Sequence, residues 1–487
     1  MKMTSINRLI KKYLNMPLPV KASLWFLACS FFQKGLSTIT TPIFTRIMTN
    51  TEYGQFGVFN SWMSIISPIV CLNLASGVFS QGLVKFEEDR KRFASSLQGL
   101  CLTLVFVWTI FYLIGREFWN DILSLNTVQG LAMMLMIWTN CAFSFWSLNQ
   151  RVDFKYKKVV LLTSITSVAQ PFVCIVFILN SEDKVTARII GMALVQLILY
   201  LGLFLTQMAQ GKQFFSGYYW KYAIRFNLPL LPHYLSMYVL GSSDRIMISS
   251  IAGDSQSGIY NLAHSLALIM TIFNTALLQT IEPWIYRKIK AGKVMDISMV
   301  AYPCLTGVAA VNLLLILLAP EAIAIFAPAE YREAIWLIPG VALSVVFMFQ
   351  YTLFATFEFY YEKKAYIVGA TMGGAVLNII LNYVFINFFG YIAAGYTTLF
   401  SYMMFAVLHY YFGCKVCKEH LDGIKPYSLK IILEISAGTL ILGLSALLVY
   451  PYTLIRYGII ILITICIFSF RKKVLNTVQM ILATKKE

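Results

Sequence analysis

Charge is scarce in this sequence. Only 13% of the 487 residues are Asp, Glu, Lys or Arg, against 59% hydrophobic. A water-soluble chain of this length needs far more polar surface, so the deficit excludes a soluble globular enzyme. Carboxylates are scarcer than bases, 22 against 39, and there are only 4 histidines. Period-two alternation is missing from the apolar stretches, which excludes a membrane β-barrel. Also missing are a Walker A loop, an H-E-x-x-H pair, a G-x-S-x-G elbow and paired carboxylates at an outer face. The linkers are short, the longest outward loop being roughly a dozen residues, so no extramembrane domain is available to host chemistry. The sequence therefore reads as a non-enzyme with no metal site and no cofactor, and any work it does is driven by an ion gradient (H+ or Na+) or by its substrate's own gradient.

What is present is a series of apolar windows of about 20 residues, about fourteen in all, each long enough to cross a bilayer as a helix. The expected spans are 22–45, 54–80, 95–115, 124–147, 158–180, 187–208, 226–247, 256–282, 297–319, 334–357, 365–387, 391–412, 428–450 and 452–470. The formal charge of +17 invites a nucleic-acid reading that its distribution refutes. Of the 39 Lys and Arg, 31 fall in alternate loops, at Lys2 to Lys21, Lys85 to Arg92, Arg151 to Lys158, Lys212 to Arg225, Arg287 to Lys293, Lys363-Lys364, Lys415 to Lys430 and Arg471 to Lys486. The intervening loops hold mostly acids, such as Glu117, Glu182, Asp254 and Glu333. That is the positive-inside pattern, with both termini cytoplasmic. The basic N-terminus precedes an apolar run too long for a signal peptide, so an uncleaved first helix is expected. The nine cysteines lie mostly within apolar spans as small buried hydrophobes, and Cys414-x-x-Cys417-x-x-His420 lacks a second ligand pair, which gives it a structural reading.

The chain repeats itself. Lys34 to Met48 (KGLSTITTPIFTRIM) aligns without a gap on His233 to Met247 (HYLSMYVLGSSDRIM), matching Leu36/Leu235, Ser37/Ser236 and Arg46-Ile47-Met48/Arg245-Ile246-Met247. Gly57-Val58-Phe59-Asn60 likewise matches Gly258-Ile259-Tyr260-Asn261, and Gln81-Gly82 matches Glu282-Pro283. The expected architecture is an all-α integral membrane protein of two six-helix lobes plus two C-terminal helices: 1–211, 212–413 and 414–487. Because six is even, both lobes enter from the cytoplasm and their pseudo-two-fold axis lies along the membrane normal, leaving a cleft that can open to either side.

The repeat also selects the candidate residues. A cation at the depth of Lys34 costs from about 3 to over 10 kcal/mol if it faces lipid, so it must face water, a counter-charge or an anionic ligand. No acid lies within its own helix, and a cavity-facing cation is the reading preferred over snorkelling. His233 occupies the same repeat position; a satisfied interhelical hydrogen bond and a titrating group are both compatible with it. Gln33, Ser37, Ser236, Asn60 and Asn261 are the polar residues that would line the same cavity. His264 and His409 lack a repeat mate and read as structural. Pro229 and Pro232 mark a hinge or a static kink. Arg46, Asp244 and Arg245 stand at expected outer helix ends and Glu282 at an inner one, as gate residues or ordinary interfacial charges.

The opening FxxKGLSxxxxPxFTRxMxxxEYGxF (Phe31 to Phe56) and LPLLPHYLS…SSDRIMI (Leu228 to Ile248), with two six-helix lobes and two extra helices, resemble the Wzx flippases. These are the polysaccharide transporters of the multidrug/oligosaccharidyl-lipid/polysaccharide exporter (MOP) superfamily. The resemblance implies movement of an undecaprenyl-pyrophosphate-linked oligosaccharide, an O-antigen or similar surface polysaccharide unit, across a bacterial inner membrane by alternating access. It also implies a cationic central cavity, with which Lys34 agrees, and contact with other polysaccharide-assembly membrane proteins. A cation-coupled multidrug exporter of the same fold stands as the alternative, although it would call for an intramembrane carboxylate in the lobes where the first helix carries Lys34. A polysaccharide polymerase or ligase would need a long basic outward loop.

Overall fold

Runs of apolar residues that cannot leave backbone groups unpaired in lipid have one local solution, the α-helix. The computed structural model describes residues 16–469, and among these there are helices and no strand. In chain order they are α1 (Leu18–Ile47), α2 (Asn50–Cys71), α3 (Val78–Lys85), α4 (Arg90–Ile114), α5 (Arg116–Leu123), α6 (Thr127–Val152), α7 (Tyr156–Leu179), α8 (Lys184–Gly211), α9 (Gly217–Asn227), α10 (Leu231–Ala252), α11 (Asp254–Lys290), α12 (Asp296–Leu317), α13 (Ala319–Phe326), α14 (Ile338–Tyr360), α15 (Lys364–Phe389), α16 (Ala393–His420), α17 (Leu429–Val449) and α18 (Thr453–Ser469). The long helices correspond one to one with the fourteen expected spans. Nine of them are long and apolar enough to cross a membrane on length and composition. Of the others, α1, α2, α10 and α16 carry polar residues such as Lys34, Asn60, Asp244 and His409. The basic segments Lys2–Lys12 and Arg471–Lys486 lie outside the described residues.

Several boundaries differ from expectation, four of them for a visible reason. The second span ends at Cys71 rather than continuing to 80. Leu72 and Asn73 turn into the left-handed region, φ 49° each, and their carbonyls both accept from Asn227 Nδ2 at 2.9 Å. The seventh span begins later, because α9 stops at Asn227 and a 3₁₀ turn, Leu228–Leu230, precedes α10. Pro229 sits in that turn and Pro232 near the start of α10, where a missing N–H costs nothing. At 37 residues, α11 runs about 55 Å, well past a hydrocarbon core of about 30 Å. Similarly, α16 continues to His420, so Cys414 and Cys417 lie on a helix end one turn apart, and His420 stacks on the Tyr361 ring at 4.4 Å.

Two compact units emerge, one containing residues to Thr40 with Trp62–Tyr234, the other containing Thr41–Ser61 with the chain from Leu235 onward. In the first, α8 packs on α4, α6 and α7, and α3, α4 and α6 meet through a ring cluster of Phe79, Phe93 and Phe145, all fully buried. A capping box of Asn126 and Gln129 starts α6. In the second, α14 is the centre: 83% of its apolar window is buried, against α11, α12 and α16. Gly340 lets its backbone approach that of Gly395, where a Cβ would meet the carbonyl oxygen at 2.6 Å. A bidentate pair, Arg456 to Glu321, fastens α18 to α13, and Arg456 Nη1 also donates to the Leu317 carbonyl at 3.1 Å.

Candidate polar sites in the two units

The first unit holds Lys34. Ser30, Phe31, Phe32, Gln33 and Lys34 are all exposed, five consecutive residues that cover more than one turn of α1. Lys34 takes part in none of the ion pairs among the described residues. His233 is half-buried beside Tyr234, with ring centroids 5.7 Å apart. His233, Ser37, Ser236 and Asn60 are all engaged with neighbours.

In the second unit the repeat-matched segments of α2 and α11 meet face to face. A Cβ on Gly54 would lie 1.9 Å from the Asp254 carbonyl oxygen, and one on Gly258 would lie 2.0 Å from that of Asn50. One turn further along, Gly57 faces the Asn261 side chain, and Gln55 Nε2 donates to Asp254 Oδ2 at 2.9 Å. Asn60 turns back on its own helix, donating to the Phe56 carbonyl at 3.1 Å. Arg46 donates to two carbonyls, Pro42 at 2.8 Å and Ile325 at 3.0 Å, and Thr45 reaches Phe326 at 2.7 Å. No ion pair joins Arg46 to Asp244 among the described residues.

Asp244 instead points into the interior, 2% exposed. A carboxylate buried this deeply must have every lone pair supplied with a donor or lose its charge. Three helices supply donors. Tyr260 on α11 donates its hydroxyl to Oδ2, Asn382 on α15 gives Nδ2 to Oδ1 at 2.6 Å, and Thr398 on α16 gives Oγ1 to Oδ2 at 2.8 Å. Around this shell, Thr397 donates to Asn382 Oδ1, Ser243 to Asn378 Oδ1 at 3.2 Å, and Asn378 Nδ2 to Thr398 at 3.4 Å. All of these donors are neutral. Next in sequence, Arg245 donates to the Gly241 carbonyl at 3.0 Å and stands 3.4 Å from a ring nitrogen of His264, while its Nε is buried without a partner. The arrangement is a nest of hydroxyl and amide donors around one buried carboxyl group.

Sequence reasoning singled out Asp244 but placed it at a helix end, and it missed Asn378, Asn382, Thr397 and Thr398. The available signal was polar pairing inside apolar helices: Asn378 and Asn382 are one turn apart, so they share a face of α15. A second buried pair, Glu358 with His409, joins α14 to α16 through a 2.9 Å contact from Nδ1 to Oε1, with exposures of 0% and 1%. Glu282 is half-buried on the long α11 and enters no ion pair among the described residues. The structural reading of Cys414 and Cys417 stands beside the geometry that Cys417 is buried and neither groups with a third metal-ligating residue among the described residues.

Comparison with known proteins agrees on the fold. The chain is 26% identical over 412 residues to an uncharacterized membrane protein of Methanocaldococcus jannaschii, covering 78% of this chain and 94% of that one. Its structure is similar to that of the lipid II flippase MurJ in an inward closed conformation, with a TM-score of 0.71 at 15% identity over 93% of this chain and all of that one. It is also similar to an inward-facing multidrug resistance MATE family transporter of the MOP superfamily, with a TM-score of 0.64 at 13% identity over 80% and 96% of the two chains. A model of the family described as polysaccharide biosynthesis protein matches residues 20–288. This multi-pass membrane protein, built on the fold shared by MurJ and the MATE transporters, thus belongs to the polysaccharide biosynthesis protein family.

Proposed function

We propose that the protein is a flippase that moves an undecaprenyl-pyrophosphate-linked oligosaccharide, an O-antigen or similar repeat unit, from the cytoplasmic to the outer leaflet of a bacterial inner membrane. Membership in a polysaccharide biosynthesis family together with a fold shared by a lipid II flippase carries this reading. Physical chemistry states the task. Dragging sugar hydroxyls through hydrocarbon costs several kcal/mol per unpaired polar group, and a pyrophosphate far more. The protein must therefore offer the headgroup a hydrated, cationic path by alternating access while the polyprenyl tail stays in lipid. Lys34, a helix-borne ammonium without an ion-pair partner among the described residues, is our candidate for the pyrophosphate contact, with His233, Gln33, Ser37, Ser236, Asn60 and Asn261 as candidate cavity residues. Pro229 and Pro232, at the α9–α10 break, are the candidate hinge.

Coupling to an H+ or Na+ gradient is part of the proposal, and the Asp244 nest is where we place it. Rotating the Asn382 amide would turn its oxygen towards Asp244 and convert a donor shell into a cation shell without moving a helix. The termini would be cytoplasmic by the charge pattern.

The decisive experiment reconstitutes the protein with a lipid-linked oligosaccharide and scores leaflet transfer against ethidium efflux. Transfer without efflux is expected; efflux without transfer would favour a multidrug exporter. Lys34→Ala should abolish surface polysaccharide export in complementation while Lys34→Arg retains much of it. Wild-type export by Lys34→Ala would remove the anion-contact assignment.

A further inference from the structure

Three of the nine cysteines converge inside the first unit. Cys71 is the last residue of α2, Cys101 lies on α4 and Cys141 on α6, and all three are buried. Their Sγ atoms lie within 4.8 Å of one another, with Cys71 and Cys101 at 3.2 Å. An ion bonded to several sulfurs at about 2.3 Å holds those sulfurs roughly 3.3–4 Å apart, so the spacing fits a single central atom with small adjustment. One turn before Cys101, Gln98 is fully buried and leaves Oε1 without a partner, while its Nε2 reaches the carbonyl of Ala142, the neighbour of Cys141, at 3.4 Å.

The identity of the central atom follows from charge. Three thiolates around a divalent ion leave one net negative charge, and around a monovalent ion two, each costing several kcal/mol in an apolar interior. Three thiolates around a trivalent thiophilic centre leave none. Soft sulfur donors also disfavour hard trivalent cations. We propose that Cys71, Cys101 and Cys141 form a binding site for a trivalent thiophilic metalloid, arsenic(III) or antimony(III). For arsenous acid, three S–H and three As–O bonds break, three As–S bonds form, and the three thiol protons leave with the three hydroxides as water. No electron moves, so no oxidant is required, in contrast to a disulfide, which would also leave one thiol over.

Occupancy has a mechanical consequence. It ties α2, α4 and α6 together at the point where Asn227 already holds the turn after Cys71. Asn227 is also the residue after which the α9–α10 break begins. The site therefore stiffens the segment proposed as hinge, and arsenite slows transport in proportion to occupancy.

The test uses the full-length protein in detergent, kept reduced with a phosphine, incubated with sodium arsenite and freed of excess by gel filtration. One arsenic per chain is expected, with three sulfur neighbours by X-ray absorption. Cys101→Ala should lose about 100-fold or more in affinity, since it breaks a three-point chelate, and Cys71→Ser serves if that variant is not monodisperse. Cys414→Ala/Cys417→Ala, which removes the other close thiol pair, should bind like wild type. The proposal is overturned by absent binding in the wild type, by oxygen in the first coordination sphere, by retention in both single variants, or by Zn2+ binding as tightly as arsenite.

Discussion

Replacing Asp244 separates the charge of its nest from the shape of it. Asp244→Ala removes the acceptor used by three buried donors, Tyr260 Oη, Asn382 Nδ2 and Thr398 Oγ1. Each orphaned donor costs about 1–3 kcal/mol, hence about 3–9 kcal/mol together if nothing relaxes. Removing the charge returns several kcal/mol of desolvation, which offsets part of that loss. Asp244→Asn receives the same return but keeps one acceptor oxygen, and the Tyr260 and Thr398 hydroxyls can rotate to accept from its amide. The expected order is therefore wild type and Asn within about 2 kcal/mol of each other, with Ala below both by at least about 2 kcal/mol. Thermal unfolding in detergent, followed by tryptophan fluorescence, reads this order. In proteoliposomes with an imposed H+ or Na+ gradient, Asp244→Asn should fold yet show transport no faster with the gradient than without it. Equal melting of the Ala and Asn variants would refute the donor accounting. Gradient-stimulated transport by Asp244→Asn would refute the assignment of coupling to this carboxylate.

Other substitutions test the packing. Gly54→Ala places a Cβ 1.9 Å from the Asp254 carbonyl oxygen and forces α2 and α11 apart by roughly 1.5 Å to reach ordinary contact, for a cost of about 1–3 kcal/mol or more. Gly241→Ala, with nothing within 4 Å of its Cβ, should leave melting unchanged or slightly raised, and a reversed order would count against this contact. His409→Ala leaves Glu358 buried without its 2.9 Å hydrogen-bond partner and should destabilise by about 1–3 kcal/mol in the same melting assay. Asp153 accepts from Lys155 and from Arg90, both at 2.8 Å, and the Lys155 hydrogen bond leads in holding its carboxyl below the usual range. A depressed folded-state value adds stability above the unfolded-state value that is lost as pH falls through the folded one. The melting difference between wild type and Asp153→Asn should thus be widest near neutrality and close in acid; a gap that widens in acid would contradict the sign.

The long apolar runs made the spans legible, because without period-two alternation the backbone in a bilayer has no alternative to helix. The end of α2 at Cys71 was not legible, since Leu72, Leu74 and Val78 continue the apolar run and the residue that closes the turn, Asn227, lies far along the chain. Asp244 was visible as a charge, but its depth was not. Sequence order placed it near a helix end, whereas its partners arrive from three other helices, up to 154 residues away. The sulfur cluster was hidden for a related reason. Each cysteine alone reads as a small apolar filler, and only the packing of α2, α4 and α6 brings the three together. Lys34 was the opposite case, costly enough in a helix to be flagged wherever it pointed.

The reach of α11 has a practical corollary. Its last turns carry Arg287, Lys288 and Lys290, and the Lys288 ammonium is held to Asp296 at 2.7 Å, so the basic end is a rigid stub rather than a frayed tail. A helix fixed to the Asp244 nest through Tyr260 at one end and projecting beyond lipid at the other works as a pointer. A spin label or fluorophore attached to the stub would report whatever tilt the Asp244 nest imposes on the helix.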